Sequence, residues 1–225
     1  MGIAHSLRGR LVRGRAVHTR FRFEGWIAGI GTSSGTRVVV GRWARSPFGP
    51  FSDVMLERRD GHRVLLAPSG RTADFIAGTY AFDEVRVMPV TVRVTGRDWT
   101  VVTPSLGLWL TTGRRGPVGL LLRAVPGPLA AHPAWAALVD RPARMLLGAG
   151  THGSAGAGRY EWYGARDLHP VTSCGAVYEG ENLGRLAPVE PPVRFGFGST
   201  PRTPCVVCVT TTVSLGAGPR GDVRP

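Results

Sequence analysis

Apolar and polar residues alternate with a period of two over most of this chain, which is the pattern of strands with one buried and one solvated face. The alternation is plain in Val85-Arg86-Val87 and in Val92-Arg93-Val94. The 32 glycines and 18 prolines fall between the apolar runs, where they punctuate turns. The strands predicted in this way span residues 21–30, 36–43, 51–58, 62–67, 84–95, 99–103, 106–112, 159–163, 170–178 and 204–213.

Three local patterns predict a hairpin and two helices. Arg59-Asp60-Gly61 separates two apolar runs, and an Asp-Gly step supplies the positive φ angles of a tight hairpin turn. Ser69 can cap a short helix over residues 71–80, whose apolar residues recur near helical spacing. Residues 128–139 predict a second helix, provided that Pro133 lies in its first turn.

These elements predict a mostly β (α+β) fold: a curled antiparallel sheet or cone-like barrel of roughly ten strands with two short helices. A sheet of that size tends to close or to fold over on itself. We expect a single β-rich domain over residues 21–215. Residues 1–20 are expected to form a flexible basic arm because of their arginines. Residues 216–225 are expected to form a disordered tail because they are polar and rich in glycine and proline.

The positive charge of the chain is carried by arginine alone. All 28 basic side chains are arginines, a bias typical of a GC-rich genome, and the net charge is +13. Six of these arginines lie in the first 22 residues, where there is no acid, so the rest of the chain has 22 arginines against 15 acids. Nucleic-acid binding is therefore disfavoured for the folded body, and the arginine arm remains the segment through which it could occur.

Localisation and redox state are indicated by what the sequence lacks. The longest apolar stretches, such as Val118–Leu122, fall far short of the roughly 18 residues of a membrane span. The first 22 residues have no apolar core of a secretory signal, so we expect a cytoplasmic protein with no membrane contact.

Three cysteines cannot all pair, and Cys205 and Cys208 should point to opposite faces of a strand, so we expect reduced thiols and no metal or cofactor.

Few side chains form a recognisable catalytic pattern. Gly31-Thr32-Ser33-Ser34-Gly35 has the Gly-x-Ser-x-Gly spacing, but it is predicted as a loop between two strands and not as the strand-to-helix elbow of a serine nucleophile. No paired histidine motif is present. His169 follows Asp167 and could be an acid or base held by a carboxylate, although a structural histidine is the simpler interpretation. Aromatic residues that could line a ligand pocket, or fill the core, are Trp43, Phe48, Phe51 and the Glu161-Trp162-Tyr163 run.

The run Gly49-Pro50-Phe51-Ser52-Asp53-Val54 is followed by a strand, a hairpin, another strand, a short helix and Tyr80-Ala81-Phe82-Asp83-Glu84. In this order of elements, the chain resembles the acetoacetate decarboxylase-like superfamily over residues 40–115, with a fainter similarity at residues 196–213. The resemblance implies a cone-shaped β barrel around a small cavity, with Asp53 matching the family's acid. Asp83 and Glu84 fall near the position of its lysine.

The chemistry of that family cannot operate here, because it uses a desolvated lysine as Schiff-base nucleophile and this chain has no lysine. An arginine stays protonated and cannot replace it. If the resemblance holds, the barrel either binds a ligand without this reaction or does acid–base work. The candidate acids or bases are Asp53, Asp83 and Glu84, and the candidate ligand-binding residues are Arg45, Phe51, Asp53 and Tyr80.

Three functions are left open by the sequence. The first is a barrel that binds a small organic ligand, with an anion as one option, without Schiff-base catalysis. The second is an enzyme that uses an inward-facing carboxylate as acid or base. The third is binding of nucleic acid or an acidic partner through the N-terminal arm. Whether the chain forms a homo-oligomer is also left open.

Overall fold

A computed structural model describes residues 19–126, 152–155, 159–196 and 200–215, and these contain twelve strands and two helices. The helix predicted over 128–139, the arm up to residue 18 and the C-terminal tail lie outside the described residues. The elements are β1 (Thr19–Thr32), β2 (Arg37–Arg45), β3 (Phe51–Glu57), β4 (Arg63–Ala67), α1 (Gly70–Ala77), β5 (Glu84–Val87), β6 (Thr91–Thr95), β7 (Asp98–Val102), β8 (Leu106–Thr112), α2 (Pro117–Ala124), β9 (His152–Ala155), β10 (Arg159–Tyr178), β11 (Glu181–Ala187) and β12 (Cys205–Leu215).

Strands β1 to β4 form an antiparallel meander, as the alternation predicts. The predicted hairpin joins β3 to β4, and its turn is closed by a hydrogen bond from Gly61 N to Arg58 O. Gly61 has a φ of 89°, whereas Asp60 accepts a hydrogen bond from the His62 amide through its carboxylate. Glycine thus supplies the positive φ of this turn and aspartate fixes its exit.

Helix α1 connects β4 to β5, and these two strands pair in parallel. The sheet is therefore mixed at this end, where the sequence predicts antiparallel pairing throughout. The cause is the crossover itself, because a helix placed between two strands returns the chain in the same direction. Ser69 caps α1 as predicted: its side chain accepts a hydrogen bond from Thr72 N, and the Thr72 hydroxyl accepts one from Ser69 N.

The second half of the chain is built around β10, a strand of 20 residues. Its first part pairs with β12 and β9, and its last part pairs with β8 and β11. The sequence predicts two separate strands here, interrupted before Pro170. Pro170 lies where the ladder with β12 ends, so its missing amide proton breaks no pairing within the long strand.

Most of the strands form one continuous sheet, in the order β5-β4-β3-β2-β1-β11-β10-β8-β7-β6, and β12 fits between β1 and β10. Residues 88–90 link the two end strands β5 and β6, so the sheet curls into a closed barrel. Its core includes Val38, Val40 and Val54 from one wall and Trp99, Val101 and Leu108 from the facing wall. The predicted mostly β barrel with two short helices is thus confirmed.

The opposite face of strands β1 to β4 is also covered. Ala73 and Ile76 of α1 pack on Leu65 and Ala67 of β4, which forms a second, smaller core. Because this face is buried as well, polar side chains that point from it are removed from water.

Among the described residues, no helix is long and apolar enough to cross a bilayer.

A buried ion cluster fixes the segment after β11 against this second face. Glu57 of β3 is fully buried and lies 2.9 Å from the Arg37 guanidinium. Its carboxylate also accepts hydrogen bonds from the backbone N and the Nε of Arg194, at 2.6 and 2.8 Å. One carboxylate thereby ties strands β2 and β3 to the loop that contains Arg194.

Candidate functional site

A cavity of about 420 Å³ opens at one end of the barrel, between the two walls of the sheet. This volume lies within the range of small-molecule sites. Its lining contains arginines, indole rings and one histidine, and no carboxylate. The lining residues are Trp26, Arg42, Val94, Gly96, Arg97, Trp99, Thr112, Gly113, Arg114, Arg115, His169 and Val206.

One wall of the cavity is fixed by the pairing of β1 with β2. Trp26 and Arg42 are direct partners across these strands. Val38 and Val40 belong to the barrel core, so Arg42 continues their row on the inner face, two residues further along β2. The strand thus places a half-buried guanidinium at the rim of an apolar barrel.

The facing wall ends in the turn between β6 and β7, which contributes Arg97. Thr112 of β8 donates hydrogen bonds to the carbonyl oxygen of Arg97 from its backbone N, at 2.9 Å, and from its hydroxyl, at 3.0 Å. Gly96 has a φ of 61°, a conformation that glycine adopts without strain. The backbone that holds the exposed Arg97 side chain is therefore well anchored.

The remaining side of the cavity is formed by residues 113–115 and by β10. Asp167 accepts two hydrogen bonds from the Arg115 guanidinium, at 2.6 and 2.8 Å. His169 Nδ1 lies 3.3 Å from the carbonyl oxygen of Gly113, which can only accept, so Nδ1 carries the proton. In the neutral ring, Nε2 then accepts from Arg115 Nη2 at 3.4 Å.

The positive charge at the cavity is only partly compensated. Burial raises the pKa of Asp167, but the hydrogen bonds from Arg115 and from Leu168 N lower it by more, so this carboxylate stays ionised and neutralises Arg115. Within the described residues, no carboxylate is in ion-pair range of Arg42, Arg97 or Arg114. The guanidinium groups of these three arginines make the cavity electropositive.

A second polar cluster lies on the other face of the sheet, beneath the segment that follows α1. Tyr80 Oη is 2.7 Å from both carboxylate oxygens of Glu161 and 2.6 Å from Tyr163 Oη. Burial raises the pKa of Glu161 to about 7, against the opposing effect of the hydrogen bonds from the two tyrosines. Burial likewise raises the pKa of both phenols well above the ordinary value.

Asp53 is a further buried carboxyl on this face. It is 2 % exposed and accepts a hydrogen bond from Trp43 Nε1 at 2.8 Å. Burial raises its pKa to about 6, and the bond from Trp43 limits the rise. Gly41 is opposite Asp53 in the β2–β3 ladder, and a Cβ there would lie 2.4 Å from Asp53 Oδ1. The glycine makes room for the carboxyl.

The catalytic and ligand-binding residues proposed from the sequence are divided between two environments, the second face of the sheet and the surface. Phe51, Asp53 and Tyr80 share the second face of the sheet, and Phe51 and Tyr80 pack against the same small core. Arg45 is at the surface, with 79 % of its side chain exposed and an ion pair to Glu24. None of these four residues lines the cavity described above.

The two remaining candidate carboxylates lie at the surface. Asp83 accepts hydrogen bonds from the side chain and the backbone N of Arg63, which lower its pKa. Glu84 accepts from Arg86, whose hydrogen bond lowers the Glu84 pKa. Among the three candidate acids, Asp53 alone is buried.

Sequence reasoning missed the arginines that line the cavity, although one signal was present. In Val38-Val39-Val40-Gly41-Arg42 the alternation places Arg42 on the same face as two core valines. An arginine at an inward position of a strand is unusual and marks a polar end of the barrel. Arg97, Arg114 and Arg115 carry no such signal, because they lie in turns.

Thiols and metal ligands do not add to either site. Cys205 is buried, and burial raises its pKa to about 12; burial also raises the pKa of Cys174 and Cys208. In the part of the chain that the structure describes, no group of three or more His, Cys, Asp or Glu side chains is arranged to hold a metal ion.

No protein-family model matches the sequence, and no curated protein sequence matches it. The solved structures that match this chain include two examples. The acetoacetate decarboxylase of Legionella pneumophila covers 94 % of this chain and 92 % of its own, with a TM-score of 0.43 and 9 % identity. An AttH candidate from Nitrosomonas europaea covers 98 % of this chain and 60 % of its own, with a TM-score of 0.27 and 12 % identity. The first of these proteins carries the name of the family that the sequence resembles.

Proposed function

We propose that this protein binds a small organic anion in the arginine-lined cavity at the end of the barrel. The observation that carries this proposal is the set of three guanidinium groups, of Arg42, Arg97 and Arg114, that line the cavity without a carboxylate partner among the described residues. Like charges placed together destabilise a fold unless something compensates them. A bound anion would supply that compensation.

The apolar part of the lining supports an organic ligand over a simple inorganic ion. Trp99 is buried with its neighbours in the barrel core. Trp26 is half-buried, and its ring centroid lies 6.3 Å from that of the His169 ring. Trp26 is also the cross-strand partner of Arg42. Val206 adds aliphatic surface. Apolar walls with a few oriented polar groups are typical of sites for small organic molecules.

The experiment is a thermal-shift screen of the full chain against aliphatic and aromatic carboxylates and phosphates. We expect stabilisation by at least one class of organic anion, reduced in Arg42→Gln. The matched control is Arg93→Gln, because Arg93 is an exposed strand arginine on the adjacent β6 and does not line the cavity. Equal responses in both variants, or no stabilisation by any anion, would contradict the proposal.

A second candidate function is acid–base catalysis on the other face of the sheet. It is favoured by one observation: Asp53 and Glu161 are both nearly inaccessible, and both have raised pKa values, which suits a proton donor or acceptor near neutral pH. In this proposal Tyr80 and Tyr163 orient the Glu161 carboxyl. A reaction whose rate falls in both Asp53→Asn and Glu161→Gln, and not in Asp83→Asn, would support it.

The N-terminal arm remains a separate proposal. Binding of nucleic acid through its arginines would weaken steeply with salt and would disappear on deletion of residues 1–22. A cytoplasmic location and a homo-oligomeric state are likewise proposals. Each is tested independently of the cavity, by electrophoretic mobility shift, by fractionation and by light scattering respectively.

A further inference from the structure

We infer that the anion bound in the cavity is a phosphate monoester that carries a planar aromatic group. This inference rests on the proposed function and specifies the ligand of the same site. It draws on three properties of the lining: its uncompensated charge, the separate origins of its arginines and its indole rings.

The first step concerns charge. Four arginines line the cavity, and Asp167 neutralises one of them, Arg115, through two hydrogen bonds. Among the described residues, no carboxylate pairs with the three unit charges on Arg42, Arg97 and Arg114. A monocarboxylate would compensate one of the three, whereas a phosphate monoester carries close to two negative charges at neutral pH. The doubly charged group matches the site better.

The second step concerns geometry. Arg42 comes from β2, Arg97 from the β6–β7 turn and Arg114 from the segment after β8. A carboxylate has two oxygens in one plane and is well satisfied by a single bidentate arginine. A phosphate ester has three terminal oxygens in a tetrahedral arrangement, so it can accept from arginines on different sides. Arginines from three separate elements therefore favour phosphate.

The third step concerns the body of the ligand. Trp26 is the cross-strand neighbour of Arg42 and also lines the cavity, so a group bound to this guanidinium lies close to an indole ring. Trp99 from the opposite wall also lines the cavity. Aromatic rings stack on indole surfaces with a stabilisation beyond that of area burial. The volume of about 420 Å³ accommodates a ring together with its phosphate.

The experiment is calorimetric titration of the full chain with four probes at one ionic strength. Phenyl phosphate has the ring and the doubly charged phosphate, methyl phosphate lacks the ring, benzoate lacks the second charge, and phthalate has two carboxylates on a ring. We expect phenyl phosphate to bind at least 10-fold more tightly than each of the others. We also expect Arg42→Gln to weaken its binding at least 10-fold and Arg93→Gln to leave it unchanged.

The outcomes separate this inference from the proposed function. If benzoate or phthalate binds as tightly as phenyl phosphate, the phosphate assignment is wrong and anion binding stands. If methyl phosphate binds equally well, the aromatic assignment is wrong. If no probe binds, or if Arg93→Gln weakens binding as much as Arg42→Gln does, both the inference and the proposed function fail.

Discussion

Trp26 and Arg42 are direct partners across strands β1 and β2, and both side chains line the same cavity. The pairing places an apolar ring and a cation side by side at the rim of a barrel whose deeper positions on these strands are Ala28, Val40 and Val38. A cation at such a position is costly unless it has a partner.

Arg42→Gln should stabilise the free protein. Its guanidinium is half-buried and has no carboxylate partner among the described residues, so removing the charge relieves repulsion from Arg97 and Arg114. We expect the free energy of unfolding to rise by up to about 1 kcal/mol in urea titrations at low salt. The gain should shrink when salt or a bound anion is present. A destabilised variant would instead indicate a structural role for Arg42.

Glu161→Gln should change how stability depends on pH. Burial raises the Glu161 pKa from 4.5 to about 7, so between these pH values the native state holds a proton that the unfolded state has released. The free energy of unfolding of the wild type therefore falls as pH rises through this interval, by roughly 3 kcal/mol from this group. Glutamine cannot ionise, so the variant should lose this fall.

The measurement is urea unfolding of both proteins from pH 5 to pH 8. Glu181→Gln is the matched control, because Glu181 is exposed on β11 and should leave the wild-type curve unchanged. A Glu161→Gln variant whose stability falls as steeply as that of the wild type would show that this carboxyl is ionised throughout.

Gly41→Ala should destabilise the second face of the sheet. The new Cβ would lie 2.4 Å from Asp53 Oδ1 and 2.6 Å from Trp43 Nε1, so the hydrogen bond between these two groups must shift. We expect a loss of about 1–3 kcal/mol in the free energy of unfolding. Gly107→Ala on β8 is the control, because a Cβ there meets no atom within 4 Å. Equal stability of the two variants would contradict the packing around Asp53.

Glu57→Gln should be the most destabilising of these substitutions. It leaves Arg37, whose side chain is 4 % exposed, without its counter-ion. Breaking a buried pair from one side costs about 3–5 kcal/mol. Arg194→Gln removes a partner that is 67 % exposed and should cost about 1 kcal/mol or less. Thermal unfolding of both variants checks this order, and a reversed order would contradict it.

The barrel could be predicted from the sequence because strand alternation and the turn at Gly61 are local signals. The 117–124 helix, β9 and β11 were not predicted. The turn before β11 adopts positive φ at both Glu179 and Gly180, as a type I′ hairpin turn requires, and Glu is not among the residues that usually mark such a turn. The parallel pairing of β4 with β5 depends on the crossover of α1, which alternation does not reveal.

The two sites were harder to predict because they depend on long-range pairing. Tyr80 meets Glu161 across 81 positions of the chain, and Arg115 meets Asp167 across 52. The sequence did identify Asp53, Tyr80 and the 161–163 run as separate candidates. It could not show that Tyr80 and Glu161 share a hydrogen bond, or that turn arginines gather at the end of the barrel.

The most direct test of anion binding at the cavity is an NMR titration that follows the six tryptophan indole N–H signals of the full chain. Single Trp→Phe variants assign the signals, and phenyl phosphate and benzoate are the probes. We expect the signals of Trp26 and Trp99 to shift on addition of an anion. The signals of Trp43, bonded to Asp53, and of Trp109, exposed on β8, should stay in place. Shifts at Trp109 or Trp43 alone, or no shift with either probe, would contradict a binding site in the arginine-lined cavity.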